Sequence, residues 1–172
     1  MTTNVRLFRD NQQRADGLSS SSQIAKAAEH LVCCELILLG FNAIMADAGQ
    51  PYDVLVDLGA GKFCRVQVKT TTRMYSRNGY VSSYRFPLRK SRTGNRKITP
   101  KDVDVFAFVA LDQKQIAWMH IRNIIKSDGV AKILVELKSR RVLYKRGKHG
   151  PDANKCGKFM EDFATFPFIR RN

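Results

Sequence analysis

The chain lacks the features that mark membrane, secreted and zinc-binding proteins. None of its segments approaches the roughly 20 consecutive apolar residues of a membrane-spanning helix, and its N-terminal segment is polar, without the apolar core of a secretion signal. The four cysteines form no Cys-x-x-Cys pair, and only three histidines accompany them. We therefore expect a cytoplasmic protein without membrane attachment, whose cysteines are buried free thiols and not zinc ligands.

Acidic residues are scarce beside basic ones, and the imbalance is confined to one part of the chain. The net charge is +15. Residues 1–72 carry seven basic and seven acidic groups, whereas residues 73–172 carry 23 basic and eight acidic groups. Such asymmetry favours a polyanion partner, because each Lys or Arg that neutralises a phosphate releases condensed counterions. RNA-binding proteins and merely solvated basic faces share this excess, so the charge indicates nucleic acid and no particular chemistry.

The N-terminal third of the sequence predicts a leader followed by a capped helix. Residues 1–21 are expected to be a flexible leader, and the serines at its end can cap a helix. From Gln23 to Leu39 the apolar residues recur at helical spacing. Gly40 stands where a helix-terminating glycine belongs.

The rest of the pattern predicts an α/β fold, with a mixed β-sheet flanked by helices. Residues 22–128 would form this core, and residues 129–172 a basic C-terminal extension whose phenylalanines pack back onto it. Alternating or continuous apolar runs predict strands at 41–46, 52–58, 63–71, 103–111 and 116–120, a strand or irregular extension at 80–88, and a short helix at 121–127.

Polar residues interrupt two apolar strands that a turn at residues 59–62 folds together. Asp53 stands near the start of one strand, and Gln67 and Lys69 share a face of the next. A metal ion would explain them, since a carboxylate, an amide oxygen and the Val68 carbonyl are hard ligands that suit Mg²⁺. Lys69 would orient or help deprotonate a water and offset negative charge. Phosphodiester hydrolysis needs this combination.

At these residues the sequence resembles the PD-(D/E)xK nuclease superfamily, from Ser22 to about Ile121. It looks closest to the branch of intron-encoded homing endonucleases and small phage and bacterial nucleases, with archaeal Holliday-junction resolvases as more distant relatives. The phrases that carry the resemblance are Arg65-Val66-Gln67-Val68-Lys69-Thr70, Ala28-Glu29-His30-Leu31 with Gly40 eleven residues after Glu29, and Val103-Asp104-Val105-Phe106-Ala107.

The resemblance implies a restriction-endonuclease-like core and a site that uses Mg²⁺ or Mn²⁺. Asp53 would bind the metal, Lys69 would serve the nucleophile, and Glu29 would bind a metal or its water shell. Gln67 takes the position usually held by Glu or Asp, although some members of this branch also carry Gln. Because an amide has no charge, the number and affinity of the metal ions stay open. Tyr52 also separates Pro51 from Asp53, so the Pro-Asp pair of the motif is not literal.

Other interpretations of the same residues remain open from the sequence. Asp53 could cap a strand, Lys69 could pair with Asp57 across the hairpin, and Asp57 is the alternative metal ligand. The three histidines, His30, His120 and His149, lie outside the motif, although a histidine general base is conceivable. His120 is expected to be structural and His149 to contact phosphate.

The predicted function is a metal-dependent DNA endonuclease that hydrolyses phosphodiester bonds, acts on no small molecule and forms a dimer or tetramer. The alternatives are a branched-DNA resolvase with the same site and a non-catalytic nucleic-acid-binding module. Interleaved tyrosines, among them Tyr75 and Tyr84, could stack on bases. The basic residues predicted to bind DNA are Arg73, Arg77, Arg89, Lys90, Arg92, Arg96, Lys97, Arg140, Arg141, Lys145, Arg146 and Lys148.

Overall fold

A mixed five-stranded sheet with a long helix on one face forms the centre of the structure, which is a computed structural model. It describes residues 20–75, 83–88, 98–129, 131, 134–140 and 158–168. In chain order the elements are helix α1 (Ser21–Leu38), strands β1 (Asn42–Met45), β2 (Val54–Gly59), β3 (Lys62–Thr71), β4 (Tyr84–Pro87), β5 (Val105–Ala110) and β6 (Gln115–His120), a 3-10 helix (Ile121–Asn123), strand β7 (Leu134–Leu137) and a second 3-10 helix (Met160–Phe163).

Both ends of α1 are fixed by the caps that the sequence predicts. The Ser20 hydroxyl accepts the Gln23 backbone N–H, while the Gln23 side chain accepts the Ser20 N–H, which completes a capping box. At the other end Gly40 has a φ of +86°, and the Phe41 N–H donates to the Leu36 carbonyl at 3.0 Å. This arrangement is a Schellman motif, and it reverses the chain so that β1 runs back along the helix.

The central sheet has the strand order β1-β2-β3-β5-β6. Neighbours that follow each other in sequence are antiparallel, but β3 and β5 are parallel, with Gln67 opposite Phe106 and Lys69 opposite Phe108. The chain between them leaves the central sheet, and β4 from this segment pairs with β7 in a separate antiparallel sheet. The predicted mixed α/β architecture is therefore confirmed.

Two apolar cores lie on opposite faces of the central sheet. One face packs under α1 through residues such as Val32, Leu36 and Val66, and the other packs against β4 and β7 through Phe106 and Phe108. Strand β5 belongs to both cores, and all six of its residues are buried. The continuous apolar run at residues 103–111 is thus a central strand, as predicted.

Several details differ from the sequence-based expectation. The predicted helix at 121–127 is only a single 3-10 turn, and Cys34 is exposed whereas Cys33 and Cys64 are buried. Cys156 lies outside the described residues. Of the late phenylalanines, Phe159 and Phe166 are buried, and Phe163 and Phe168 pack partly buried against the cores. No helix in the described part of the chain is long and apolar enough to cross a membrane.

Candidate functional site

The hairpin of β2 and β3 brings Asp53 and Gln67 into direct contact. Val54 pairs with Val66, which sets Asp53 opposite Gln67 at the start of β2. Gln67 Nε2 donates a hydrogen bond to Asp53 Oδ2, and the same oxygen accepts the Val68 backbone N–H at 2.7 Å. The Asp53 N–H donates to the Val66 carbonyl at 2.9 Å. The carboxylate is therefore held by the strand that carries the other candidate residues.

Lys69 lies on the same face of the sheet as Gln67. Val66 and Val68 pack in the core under α1, so the residues that alternate with them, Gln67 and Lys69, point to the opposite face. Lys69 is partly buried and has Phe108 as its register partner on β5. Asp53, Gln67 and Lys69 consequently share one face, at the border of the second core.

The Gln67 amide nitrogen has a hydrogen-bond partner, whereas the amide oxygen has none. The side chain is only 4% exposed, and its Oε1 is buried without a hydrogen-bond partner. Leaving a buried acceptor unmatched costs about 1–3 kcal/mol. Turning the amide over would place Oε1 against the Asp53 carboxylate, which is unfavourable unless a cation lies between the two oxygens. The orphaned oxygen therefore fits a site that a cation completes.

The donor set fits a hard divalent cation. Asp53 offers carboxylate oxygen, Gln67 offers Oε1, and the Val68 carbonyl lies 3.5 Å from Gln67 Nε2. Mg²⁺ is commonly held by one or two carboxylates together with waters, so a full cage of acidic groups is not required. Among the described residues no three His, Cys, Asp or Glu side chains gather into a metal-binding group. The chemistry of the site is thus that of oxygen donors with little negative charge.

Glu29 comes from the α1 side of the sheet and carries a partner that the sequence analysis missed. Lys26 Nζ lies 2.7 Å from Glu29 Oε2. The hydrogen bond and charge of Glu29 raise the pKa of Lys26, burial lowers it, and the charge of Asp53 adds to the rise. Lys26 is therefore within electrostatic reach of both candidate carboxylates. Its only sequence signal is the three-residue spacing from Glu29, which many solvated helix pairs share.

Asp57 has a structural position at the turn of the hairpin. It lies opposite Phe63, and its carboxylate accepts the Gly59 N–H at 2.7 Å. Lys69 is six residues further along β3 than Phe63, about 20 Å away at the usual rise per residue. The alternative in which Asp57 pairs with Lys69 is therefore wrong.

A second unpredicted contact fixes β3 to the entry of β5. The Arg65 guanidinium donates to both carboxylate oxygens of Asp104 at 2.9 Å, and to the Pro100 carbonyl at 3.0 Å. Burial raises the pKa of the Asp104 carboxyl, but the hydrogen bonds and charge of Arg65 outweigh it, so the pKa lies below its usual value. No local pattern marks this pair, because its members are 39 residues apart.

The histidines stand apart from the hairpin contacts. His120 Nδ1 accepts the Arg122 N–H at 3.2 Å and caps the first 3-10 helix, in agreement with a structural role. Burial, followed by the nearby Arg122 charge, lowers the pKa of His120. His30 is exposed on α1, and His149 lies outside the described residues.

Of the predicted DNA-binding residues, the structure describes Arg73 and Arg140. Arg73 is exposed just after β3. Arg140 forms an ion pair with Asp162 at 2.7 Å, and its guanidinium lies 4.3 Å from the centre of the Phe159 ring. The others lie outside the described residues: Arg77, Arg89, Lys90, Arg92, Arg96, Lys97, Arg141, Lys145, Arg146 and Lys148.

The two described tyrosines that were expected to stack on bases differ from each other. Tyr84 is fully buried, and its hydroxyl lies 2.9 Å from the Asp112 carboxylate, so the prediction that it stacks on DNA is wrong. Tyr75 is 44% exposed, with the Arg85 guanidinium 3.9 Å from its ring centre. Tyr75 is therefore partly accessible, and its contact with bases stays a prediction.

Comparison with known proteins gives the class of this molecule. Residues 19–146 match the family model described as PD-(D/E)XK endonuclease. The structure is similar to that of a bacterial homing endonuclease, I-Ssp6803I, with a TM-score of 0.53 and 15% sequence identity over 80% of this chain and 86% of that one. A search of curated proteins gave no match.

The chain belongs to the PD-(D/E)XK endonuclease family, because the matched segment covers most of its length. It is accordingly a nuclease. The structural similarity, at this low identity, shows the shared fold and confirms the predicted restriction-endonuclease-like core.

Proposed function

We propose that this nuclease is a metal-dependent DNA endonuclease whose site is formed by Asp53, Gln67 and Lys69. The observation that carries the proposal is the contact between the Asp53 carboxylate and a buried Gln67 amide whose Oε1 has no partner. Family membership supplies the reaction class. The face shared with Lys69 supplies a cation beside the oxygen donors.

Each residue has a role that its surroundings support. Asp53, the Gln67 Oε1 and the Val68 carbonyl would hold Mg²⁺ or Mn²⁺, and Glu29 would bind the ion or its water shell. When bound, the ion supplies an activated water and offsets charge at the phosphoryl oxygens. The Lys69 ammonium orients the attacking water and stabilises the negative charge that develops on the phosphate. The backbone hydrogen bonds to Asp53 keep this geometry fixed before substrate binds.

The substrate and the assembly follow from the charge and the reaction. DNA would bind along the basic residues after residue 72, where the whole net charge of +15 lies. An enzyme that cuts both strands of a duplex needs two active sites, so we expect a dimer or tetramer. Light scattering coupled to gel filtration, with and without duplex DNA, measures the assembly directly.

The test is cleavage of linear duplex and of a four-way junction, with Mg²⁺ and with chelator. Asp53→Ala and Lys69→Ala should each lower the cleavage rate by about 10²-fold or more. DNA affinity should change little, because Lys69 is one of 30 basic residues. Lys62→Ala, which removes an exposed lysine at the turn of the same hairpin, seven residues from Lys69 and in the electroneutral part of the chain, is the matched control and should cleave normally.

The outcomes separate the proposal from its alternatives. Full activity of Lys69→Ala would refute the catalytic assignment. Strong preference for the junction would identify a branched-DNA resolvase. Metal-independent binding without cleavage of any DNA form would identify a non-catalytic binding module, for which the replacement of an acidic residue by Gln67 is the favouring observation.

A further inference from the structure

The ion pair between Lys26 and Glu29 differs from an ordinary solvated pair on a helix. The side chain of Lys26 is 57% exposed, but that of Glu29 is only 17% exposed. A carboxylate this enclosed is expensive to leave without a counter-charge. Lys26 therefore supplies the positive charge that Glu29 needs when no other cation is present.

The direction of α1 places this pair at the same end of the sheet as Asp53. The chain reverses at Gly40, so β1 runs back along the helix and ends at Met45, which pairs with Val54. Glu29 lies eleven residues before Gly40, about 16 Å along the helix axis. The pair is thus level with the end of the sheet where Asp53 enters β2. The charge of Asp53 also raises the pKa of Lys26, less than Glu29 does, which agrees with this placement.

The charged side chains of the candidate site and of this ion pair sum to zero without any metal. Asp53 and Glu29 contribute two negative charges, and Lys26 and Lys69 contribute two positive charges. A divalent ion that enters adds two positive charges, which is unfavourable unless an ammonium group moves away. Lys26 is the one able to leave, since it is largely exposed on a flexible stem, whereas Lys69 is partly buried in a central strand.

We infer that Lys26 is a positioning residue that competes with the divalent ion for Glu29. It holds the Glu29 carboxylate in place before metal binds, and it is displaced when the ion arrives. Lys26 therefore raises the metal concentration that the nuclease requires. The inference rests on the proposed function, because it takes Glu29 and Asp53 as two sides of one metal site.

The test measures metal affinity in the absence of DNA, so that it does not depend on cleavage. Isothermal titration of the full chain with Mg²⁺, Mn²⁺ and Ca²⁺ gives the dissociation constant of the wild type and each variant. Lys26→Gln should bind about two- to fivefold more tightly, as expected for loss of a partly exposed competing charge. Lys26→Arg keeps the charge and should bind as the wild type does. Lys126→Gln is the control for loss of a lysine elsewhere.

A double-mutant comparison shows whether Lys26 acts through Glu29. In the Glu29→Gln protein, adding Lys26→Gln should raise the metal affinity much less than it does in the wild type. A merely structural role for Lys26 would lower stability and leave metal affinity unchanged. Unchanged or weaker affinity in Lys26→Gln, in a protein whose metal binding is abolished by Asp53→Ala, overturns this inference and leaves the proposed function standing. Absence of metal binding in the wild type overturns both.

Discussion

At the scale of the residue, the uncharged amide of Gln67 determines the hydrogen bonding and the charge repulsion at the site without metal. Its Nε2 can donate to Asp53, which a carboxylate at that position could do only after taking up a proton. A buried pair of carboxylates in contact would repel, and one of them would have its pKa raised. Gln67 avoids this repulsion, but it offers a metal ion one negative charge fewer than a carboxylate would. The empty site is therefore free of carboxylate repulsion and depends on few anionic ligands.

Gln67→Glu should reverse this balance. Without metal, the new carboxylate beside Asp53 should destabilise the protein by about 1–3 kcal/mol at neutral pH. The deficit should shrink as the pH falls through the raised pKa of the pair, because a shared proton restores the hydrogen bond. Mg²⁺ binds the folded variant more tightly, so it should raise Tm more than in the wild type, by about 2–4 °C for each kcal/mol gained.

Thermal unfolding with and without Mg²⁺, from pH 6 to pH 8, measures both effects. Gln113→Glu is a matched control, because Gln113 Nε2 lies 3.4 Å from the Asp112 carboxylate, outside the β2–β3 hairpin. That variant should also lose stability, but without an added response to Mg²⁺. Equal Mg²⁺ responses in Gln67→Glu and the wild type would contradict the assignment of Gln67 as a ligand.

The sequence predicts those residues of the candidate site that lie close together along the chain. Asp53, Gln67 and Lys69 lie on one hairpin, and strand alternation alone places them on a common face. The Lys26 contact was not predicted, because the enclosure of Glu29 depends on how α1 packs on the sheet. Arg65 and Asp104 meet only through the parallel pairing of β3 and β5, which no spacing in the sequence reveals.

At the scale of the element, the turn of the β2–β3 hairpin carries a small conformational strain. Ala60 and Gly61 form the two-residue loop between the paired residues Gly59 and Lys62, with φ values of +52° and +70°. Positive φ at both positions is the signature of a type I′ turn, which favours Asn-Gly. Alanine adopts this region at a cost of about 1 kcal/mol. The hairpin that carries Asp53 and Gln67 is therefore not optimised for stability.

Ala60→Asn should stabilise the protein by about 0.5–1 kcal/mol, because Asn tolerates the left-handed region better than Ala does. For a chain of this size the increase in Tm should be about 1–4 °C. Ala60→Val, which places a β-branched side chain at the same φ, should lower Tm and serves as the opposite control. Scanning calorimetry measures both, and a lower Tm for Ala60→Asn than for the wild type would rule out strain at this turn.

Elements with a strong local pattern were predicted well, and short elements with distant partners were not. The capped helix, the β2–β3 hairpin and the apolar strand β5 each have their signals within a few residues. Strand β7 has only four residues and pairs with β4, about 50 residues earlier in the chain. The formation of β7 depends on packing in the second core, and the sequence pattern did not predict it.

At the scale of the whole molecule, the candidate site and the excess of basic charge occupy different parts of the sequence. The electroneutral part, residues 1–72, supplies α1 and the hairpin of the site, whereas the excess of positive charge follows it. The domain boundaries predicted at residues 21 and 128 stay predictions. Substitutions of basic residues after residue 72 should therefore change the affinity for DNA, and substitutions in the candidate site should change the rate of hydrolysis.

The affinity for duplex DNA should depend strongly on salt, with a slope of log affinity against log salt of about −0.9 per phosphate contact. Replacing Arg141, Lys145, Arg146 and Lys148 by Gln should make the slope shallower by up to about 3.6, if all four contact phosphates. Replacing Arg6, Arg9, Arg14 and Lys62 removes the same charge from the electroneutral part and should change the slope little. Fluorescence anisotropy between about 50 and 200 mM salt gives the slopes. Equal slopes for the two quadruple variants would show that these four basic residues do not contact phosphates. An affinity indifferent to salt would show that the positive excess after residue 72 is a solvated surface and does not bind DNA.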